Sequence, residues 1–134
     1  MTRPLDKPAI RELAQSFGFS ACRFCDAGLP SGVGERLQDF VAAGYHGTMG
    51  WMAETLDRRL SPQAMWPDAK TAIVLAMNYG PDHDPLAVLA KTDRAAISVY
   101  ARNRDYHDVI KGRLKHVAGK IASTHGCAVK VFVD

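Results

Sequence analysis

Two cysteines lie three positions apart near the start of the chain. Cys22 and Cys25 form a C-x-x-C pair, a spacing that can ligate a metal or form a redox pair. There is no second such pair, and both residues lie in a strand-like segment, where side chains three positions apart point to opposite faces. We interpret them as two small buried residues. The five histidines show no metal-ligand spacing on one helix face, so no metal site is predicted.

The last residue, Asp134, follows the alternating apolar segment CAVKVFVD. A carboxylic acid donates a proton to a reacting oxygen at neutral pH only if a dry pocket raises its pKa. The end of a buried strand, beside Phe132, is a suitable place for such a group. The alternative is a strand-end aspartate that caps the next turn.

Positive charge is concentrated in residues 102–120. This segment has six Lys or Arg and two Asp, whereas the rest of the chain has eleven basic and twelve acidic residues. Such a patch can meet phosphates, or it can be the solvated face of a helix. The candidate contacts are Arg102, Arg104, Tyr106, His107, Lys111 and Lys115. Tyr106 can stack on a planar partner and His107 can donate to a phosphate; alternatively, Asp105 caps a helix and Tyr106 packs on the core.

Hydrophobic periodicity predicts the elements that position these residues. Caps and apolar stripes predict helices over 6–17, around 37–43, as a short helix within 45–62, and over 105–126. Apolar or alternating runs predict strands at 19–25, 71–79, 95–101 and 127–134, with 71–79 buried on both faces. The order α-β-α-α-β-β-α-β predicts an α/β (α+β) layered domain with a mixed β-sheet covered by helices.

Length and composition limit the class of protein. The 134 residues, 47% hydrophobic and 23% charged, are enough for one folded domain and unlike a disordered chain. No apolar run approaches the roughly 20 residues of a membrane span, and the start lacks the layout of a signal peptide, so the cytoplasm is expected. Three cysteines cannot supply four thiolates to one cluster. Because the chain ends directly after a predicted core strand, we expect a fragment of a longer protein.

Several motifs occur in a characteristic order. They are YHGTMGWM (45–52), an arginine pair followed by Pro62, VLAMNYGP (74–81), YARNRDYHDVIKGRLKHVAGKI (100–121) and VFVD (131–134). Together they resemble the N-terminal half of epoxyqueuosine reductase. The RDYH segment, followed by a basic helix and a strand that ends in FVD, is the most specific part of the resemblance.

The resemblance implies a cytoplasmic enzyme that reduces the epoxide of epoxyqueuosine in tRNA, giving queuosine. It implies cobalamin, two 4Fe–4S clusters, an external electron donor and a monomer. Residues 1–134 would be the N-terminal cobalamin-binding domain, with the cluster ligands in a ferredoxin-like part that is absent from this chain, so the chain is not expected to turn over alone. By resemblance, Asp134 is the proton donor, and Asp134, Arg59 and Ser98 contact the cofactor.

Other interpretations stay open on the sequence. Arg59 is otherwise a surface arginine, with Arg58 as the alternative register, and Ser98 is otherwise a strand serine. Trp51 is more typical of a core residue than of a ligand contact. The chain could be a non-catalytic tRNA-binding module that uses the basic helix 105–120. It could also be another corrinoid-dependent reductase, although the missing signal sequence and the RDYH segment favour the tRNA enzyme.

Overall fold

The computed structural model describes residues 4–133. In chain order the elements are α1 (Lys7–Ser16), β1 (Ala21–Asp26), α2 (Val33–Ala42), α3 (Gly50–Glu54), α4 (Leu56–Arg59), α5 (Pro62–Met65), β2 (Thr71–Ala76), two 3₁₀ helices (Ala87–Ala90 and Val99–Ala101) and α6 (Tyr106–His125). The chain divides into two compact units: residues 24–74 form one, and the residues before and after them form the other. None of the described helices is both long and apolar enough to span a bilayer.

Helices and a small sheet together confirm the α+β class. The backbone N–H of Ser20 donates to the carbonyl of Ala76 (2.7 Å), and the N–H of Ala27 donates to the carbonyl of Lys70 (3.0 Å). These bonds flank β1 and β2 at opposite ends, so the two strands run antiparallel. The Ser20 hydroxyl also accepts from the N–H of Asn78 (3.0 Å), which extends the connection one step beyond the end of β2.

The helices α1 and α6 provide the core of the first unit. Asp6 caps α1 by accepting from the N–H of Ala9 (3.1 Å), and Gly126, in the left-handed conformation, ends α6, as the sequence predicts. The buried side chains of this unit are Ile10, Ala14, Phe19, Cys22, Val117, Ile121 and His125. The predicted apolar faces of both helices are therefore confirmed at their central residues.

Three short helices, α3 to α5, follow α2 in the 24–74 unit. Ser61 caps α5 because its hydroxyl accepts from the N–H of Ala64 (3.0 Å), and Pro62 occupies the first helical position, where its missing N–H is not needed. Directly before this cap, α4 ends at Arg59. The sequence predicts a short helix within 45–62, which the structure divides into α3 and α4, and one helical turn between Pro62 and Pro67, which α5 confirms.

Two predicted strands do not form in the described residues. Residues 95–98 have no regular structure and continue into the 3₁₀ helix Val99–Ala101, and residues 127–133 also have none. A strand needs a second backbone to pair with, and within the described chain only β1 and β2 pair. The predicted mixed sheet is thus reduced to one antiparallel pair.

The second strand is also shorter and more exposed than predicted. It ends at Ala76 because Asn78 turns the chain, its side chain accepting from the N–H of Gly80 (2.9 Å). Val74 is 57% exposed, so the prediction of burial on both faces is wrong. A two-stranded ribbon provides too little cover to bury both faces of an apolar strand.

Candidate functional site

The RDYH segment forms the start of α6. Asp105 caps the helix, with one carboxylate oxygen accepting from the backbone N–H of His107 (2.9 Å) and lying 2.8 Å from its ring Nδ1. The backbone hydrogen bond, and after it the ring contact, holds the pKa of Asp105 below its ordinary value. The predicted cap is confirmed, and it fixes the His107 ring beside the first turn of the helix.

Three aromatic rings form a continuous array at this helix start. The Tyr106 ring stacks on His107, with centroids 4.1 Å apart, and on Tyr79, with centroids 6.2 Å apart and planes 17° from parallel. Tyr106 is half-buried while Tyr79 is largely exposed. The predicted cap therefore coexists with an aromatic surface that a planar partner can reach, and the ring contacts of Tyr106 are with Tyr79 and His107.

A cavity of about 280 Å³ opens next to this array, entirely within the unit that contains α6. Its lining consists of Met77, Tyr79, Val99, Tyr100, Arg102, Asn103, Arg104, Tyr106, Val109 and Ile110. The sequence identifies Arg102, Arg104 and Tyr106 as contacts but misses Tyr79 and Tyr100. Their signal was the tyrosine in each of the motifs VLAMNYGP and YARNRDYH.

The basic side chains of the segment divide into two groups. Arg113 belongs to the fold, because its Nη1 donates to the carbonyl of Phe17 at the end of α1 (3.3 Å) and also lies 3.7 Å from the sulfur of Met77. By contrast, Lys111 and Lys115 are exposed one helical turn apart on α6, and no ion pair involves either of them in the described chain. They provide charge that is available to a ligand.

Arg59 is held in a defined orientation in the 24–74 unit. Its guanidinium lies 4.4 Å from the centroid of the Trp51 ring, and its Nε donates to the Thr55 hydroxyl (2.8 Å). Arg58 instead directs Nη2 toward the sulfur of Met65 (3.7 Å). Trp51 is 46% exposed, so its prediction as a core residue is wrong. The Trp51 ring contacts the Arg59 guanidinium and is not part of the core, because a cation and an aromatic face attract each other.

The other two predicted cofactor contacts are placed differently. Ser98 is exposed and lies directly before the 3₁₀ helix Val99–Ala101, so it is not a strand residue. Its neighbours Ile97 and Tyr100 are also exposed. Asp134 lies outside the described residues, so its role stays a prediction. Ser98 and Arg59 belong to different units.

The cysteine pair is split by the strand. Cys22 is buried and burial raises the pKa of its thiol, whereas Cys25 is exposed, with its thiol 3.9 Å from the carbonyl of Ala72. The predicted opposite orientation is confirmed, but the predicted burial of Cys25 is wrong because only one face of β1 is covered. Across residues 4–133, no group of three or more His, Cys, Asp or Glu side chains is arranged to hold a metal ion.

Comparison with known proteins gives the chain a family. The sequence model described as "Epoxyqueuosine reductase QueG, DUF1730" matches residues 59–134, more than half of the chain. The chain belongs to the epoxyqueuosine reductase family. The matched region contains Ser98, the RDYH segment, the whole of α6 and Asp134.

Similar proteins from several bacteria agree with this family. The epoxyqueuosine reductase of Xanthomonas campestris is 37% identical over 98% of this chain, and that of Yersinia pestis is 34% identical over 100% of this chain. The chain covers 38% and 33% of these two relatives, so it spans about a third of their length. No solved structure matches the chain significantly.

Proposed function

We propose that the protein acts in the reductive removal of the epoxide oxygen of epoxyqueuosine in tRNA, which yields queuosine. The observation that carries the proposal is the family match over residues 59–134. Relatives named epoxyqueuosine reductase, which match nearly the whole chain, support it further. The exposed Lys111 and Lys115, together with Arg104, suit a substrate whose backbone is a chain of phosphates.

Asp134 carries the proton chemistry in this proposal. Removing the oxygen as water consumes two electrons and two protons, and negative charge develops on that oxygen as its bonds to carbon break. A protonated carboxyl at Asp134 would donate to this oxygen and meet the charge as it forms. The position belongs to the matched family region. The predicted burial beside Phe132 is wrong for that ring, which is 63% exposed in the described chain.

We propose cobalamin as the cofactor because the family resemblance implies it. The amide side arms of a corrin need hydrogen-bond donors, and its flat ring needs apolar contacts. Arg59 has its Nε bound to Thr55 and its guanidinium braced by Trp51, which leaves both Nη groups as donors. Ser98 provides an exposed hydroxyl. By resemblance, Arg59, Ser98 and Asp134 each stay a proposed contact of this group, which, when bound, would supply a redox-active cobalt for the reduction.

The electrons enter from outside this chain in our proposal. Its three cysteines cannot supply the four thiolates of a 4Fe–4S cluster, so the two clusters would be held by another part of the protein, which an external donor reduces. We further propose that residues 1–134 are an N-terminal cobalamin-binding domain that acts in the cytoplasm and within a monomer.

Turnover of defined tRNA tests this proposal. The intact protein, loaded with cobalamin and supplied with a chemical reductant, is incubated with tRNA that carries epoxyqueuosine, and the wobble nucleoside is analysed by mass spectrometry. We expect queuosine from the wild-type protein, and bound cobalamin but no queuosine from Asp134→Asn. Asp26→Asn is the matched control, because Asp26 is an exposed acid in the other unit. Wild-type turnover by Asp134→Asn would remove Asp134 from the mechanism.

A tRNA-binding module without chemistry is the second candidate, and the exposed lysines of α6 favour it. Both candidates predict that charge reversal at Lys111 and Lys115 weakens tRNA binding and lowers its salt dependence. Only the enzyme predicts a corrin absorption spectrum in the purified intact protein. A protein that binds tRNA and takes up no cobalamin would support the module.

A further inference from the structure

The cavity at the start of α6 combines two chemistries that one kind of ligand satisfies. We infer that it holds a single unpaired base of an RNA, with the adjoining phosphates bound by Arg102 and Arg104. This inference rests on the proposed function in taking RNA as the ligand, and it specifies which part of the RNA this chain recognises.

The aromatic lining argues for a flat ring as the ligand. Tyr79 and Tyr100 are 59% and 56% exposed, so a ligand can reach both rings. Both line the cavity together with Tyr106, whose ring already stacks on Tyr79. An unpaired base is recognised in this way, because its face stacks on an aromatic side chain. The apolar residues Val99, Val109 and Ile110 complete a lining that disfavours a hydrated ligand.

The charged lining argues for an anion beside that ring. Arg102 is anchored, with its Nε donating to the carbonyl of Ile97 (3.2 Å), and its terminal nitrogens are left for a ligand. Arg104 is exposed. No Asp or Glu is among the described residues that line the cavity. Asn103 between the arginines has a φ of +65°, an unusual conformation for a residue other than glycine, which marks a tight bend that carries both arginines to one cavity.

Size and shape distinguish a base from other ligands. A cavity of about 280 Å³ lies at the lower end of the range of small-molecule sites. It therefore suits one heterocycle and not a macrocycle such as a corrin. A duplex offers only its grooves and backbone, since its bases are stacked inside, and would leave the tyrosines without a role. The side-chain amide of Asn103 can hydrogen-bond to the edge of an inserted base.

Binding of unmodified RNA tests the inference without requiring catalysis. Fluorescence anisotropy compares an anticodon stem–loop with a fully paired duplex of equal length and charge, using the intact protein. We expect Tyr79→Ala and Tyr100→Ala each to weaken stem–loop binding by on the order of 10-fold and to leave duplex binding unchanged. Tyr79→Phe should retain the wild-type affinity. Tyr45→Ala is the matched control, because Tyr45 is 72% exposed and belongs to the other unit.

The phosphate contacts have a separate signature. Arg104→Gln should lower the slope of log Kd against log salt concentration by about one, for the stem–loop only. Arg36→Gln, which alters an exposed arginine of the other unit, should leave the slope unchanged. An abasic substitution at one loop position of the RNA should weaken binding to the wild-type protein by on the order of 10-fold, and this arm requires no variant to fold.

The outcomes separate this inference from the proposed function. Wild-type stem–loop affinity in both tyrosine-to-alanine variants, or equal affinity for every abasic RNA, would overturn the base pocket even if the protein produces queuosine. Loss of affinity for stem–loop and duplex alike would also overturn it. Selective loss for the stem–loop would support the pocket, and it would still do so if the turnover assay yields no queuosine.

Discussion

The junction of α1 with α6 depends on the absence of a side chain at Gly18. This glycine has a φ of +85°, and a Cβ atom placed on it would overlap the guanidinium of Arg113. That guanidinium donates to the carbonyl of Phe17, which α1 leaves unsatisfied at its C-terminal end. Replacing Gly18 by alanine therefore strains the backbone and displaces the side chain that connects the two helices.

The two costs of Gly18→Ala can be estimated separately. The left-handed conformation costs an L-residue about 1–2 kcal/mol. Loss of the Arg113 hydrogen bond adds about 0.5–1.5 kcal/mol. We expect the free energy of unfolding to fall by about 1.5–3.5 kcal/mol in Gly18→Ala. In an Arg113→Met background, where the guanidinium is already absent, Gly18→Ala should lower the free energy of unfolding only by the cost of the left-handed backbone, about 1–2 kcal/mol.

Urea unfolding followed by circular dichroism measures these values as a double-mutant cycle. Gly44→Ala is the matched control, because Gly44 also has a positive φ, +73°, and its Cβ would meet nothing within 4 Å. Its cost should be the same in both backgrounds. Equal costs for Gly18→Ala with and without Arg113, or a Gly18→Ala cost no larger than that of Gly44→Ala, would refute the proposed contact.

Three further predictions concern stability and reactivity. Iodoacetamide at neutral pH should alkylate Cys25 well before Cys22, whose pKa is raised by burial; equal rates by peptide mass mapping would contradict the assigned burial. The pKa of Asp105 is lowered in the folded protein. The stability that its carboxylate gives α6 is therefore fully present above the pKa of an aspartate in the unfolded chain, about 3.9. This stability is lost as the pH falls through the lower pKa of the folded protein. Asp105→Asn should therefore flatten the dependence of helicity on acidic pH, and a circular dichroism titration identical to that of the wild type would contradict this. Ile121→Ala, deep in the core, should lower the free energy of unfolding by about 2–5 kcal/mol, whereas a loss below about 1 kcal/mol in urea would show that α6 is not packed as described.

The helices could be predicted from sequence because their signals are local. Asp6, Asp105 and Gly126 each determine a helix end through bonds or dihedral angles within a few residues. The strands predicted at 95–101 and 127–134 were wrong for residues 95–101 and 127–133, because an apolar or alternating run forms a strand only when a partner backbone pairs with it. The structure provides such a partner only for β1 and β2 in the described chain.

The candidate site was predictable to a similar extent. The charges of the 102–120 segment and the capping role of Asp105 follow from residue types and spacing. The sequence does not show which of these basic side chains hold the fold together, because Arg113 binds the carbonyl of Phe17, which is far from it in the sequence. Tyr79 was missed for the same reason, since only the fold brings it to Tyr106.

The wobble nucleoside in living cells tests the central claim most directly. A bacterial strain that lacks its own epoxyqueuosine reductase is complemented with the intact gene that encodes this chain, and its tRNA nucleosides are analysed by mass spectrometry. We predict that queuosine reappears with the wild-type gene and that epoxyqueuosine persists with Asp134→Asn. Persistence of epoxyqueuosine with a wild-type protein that is expressed and folded would contradict the proposed function.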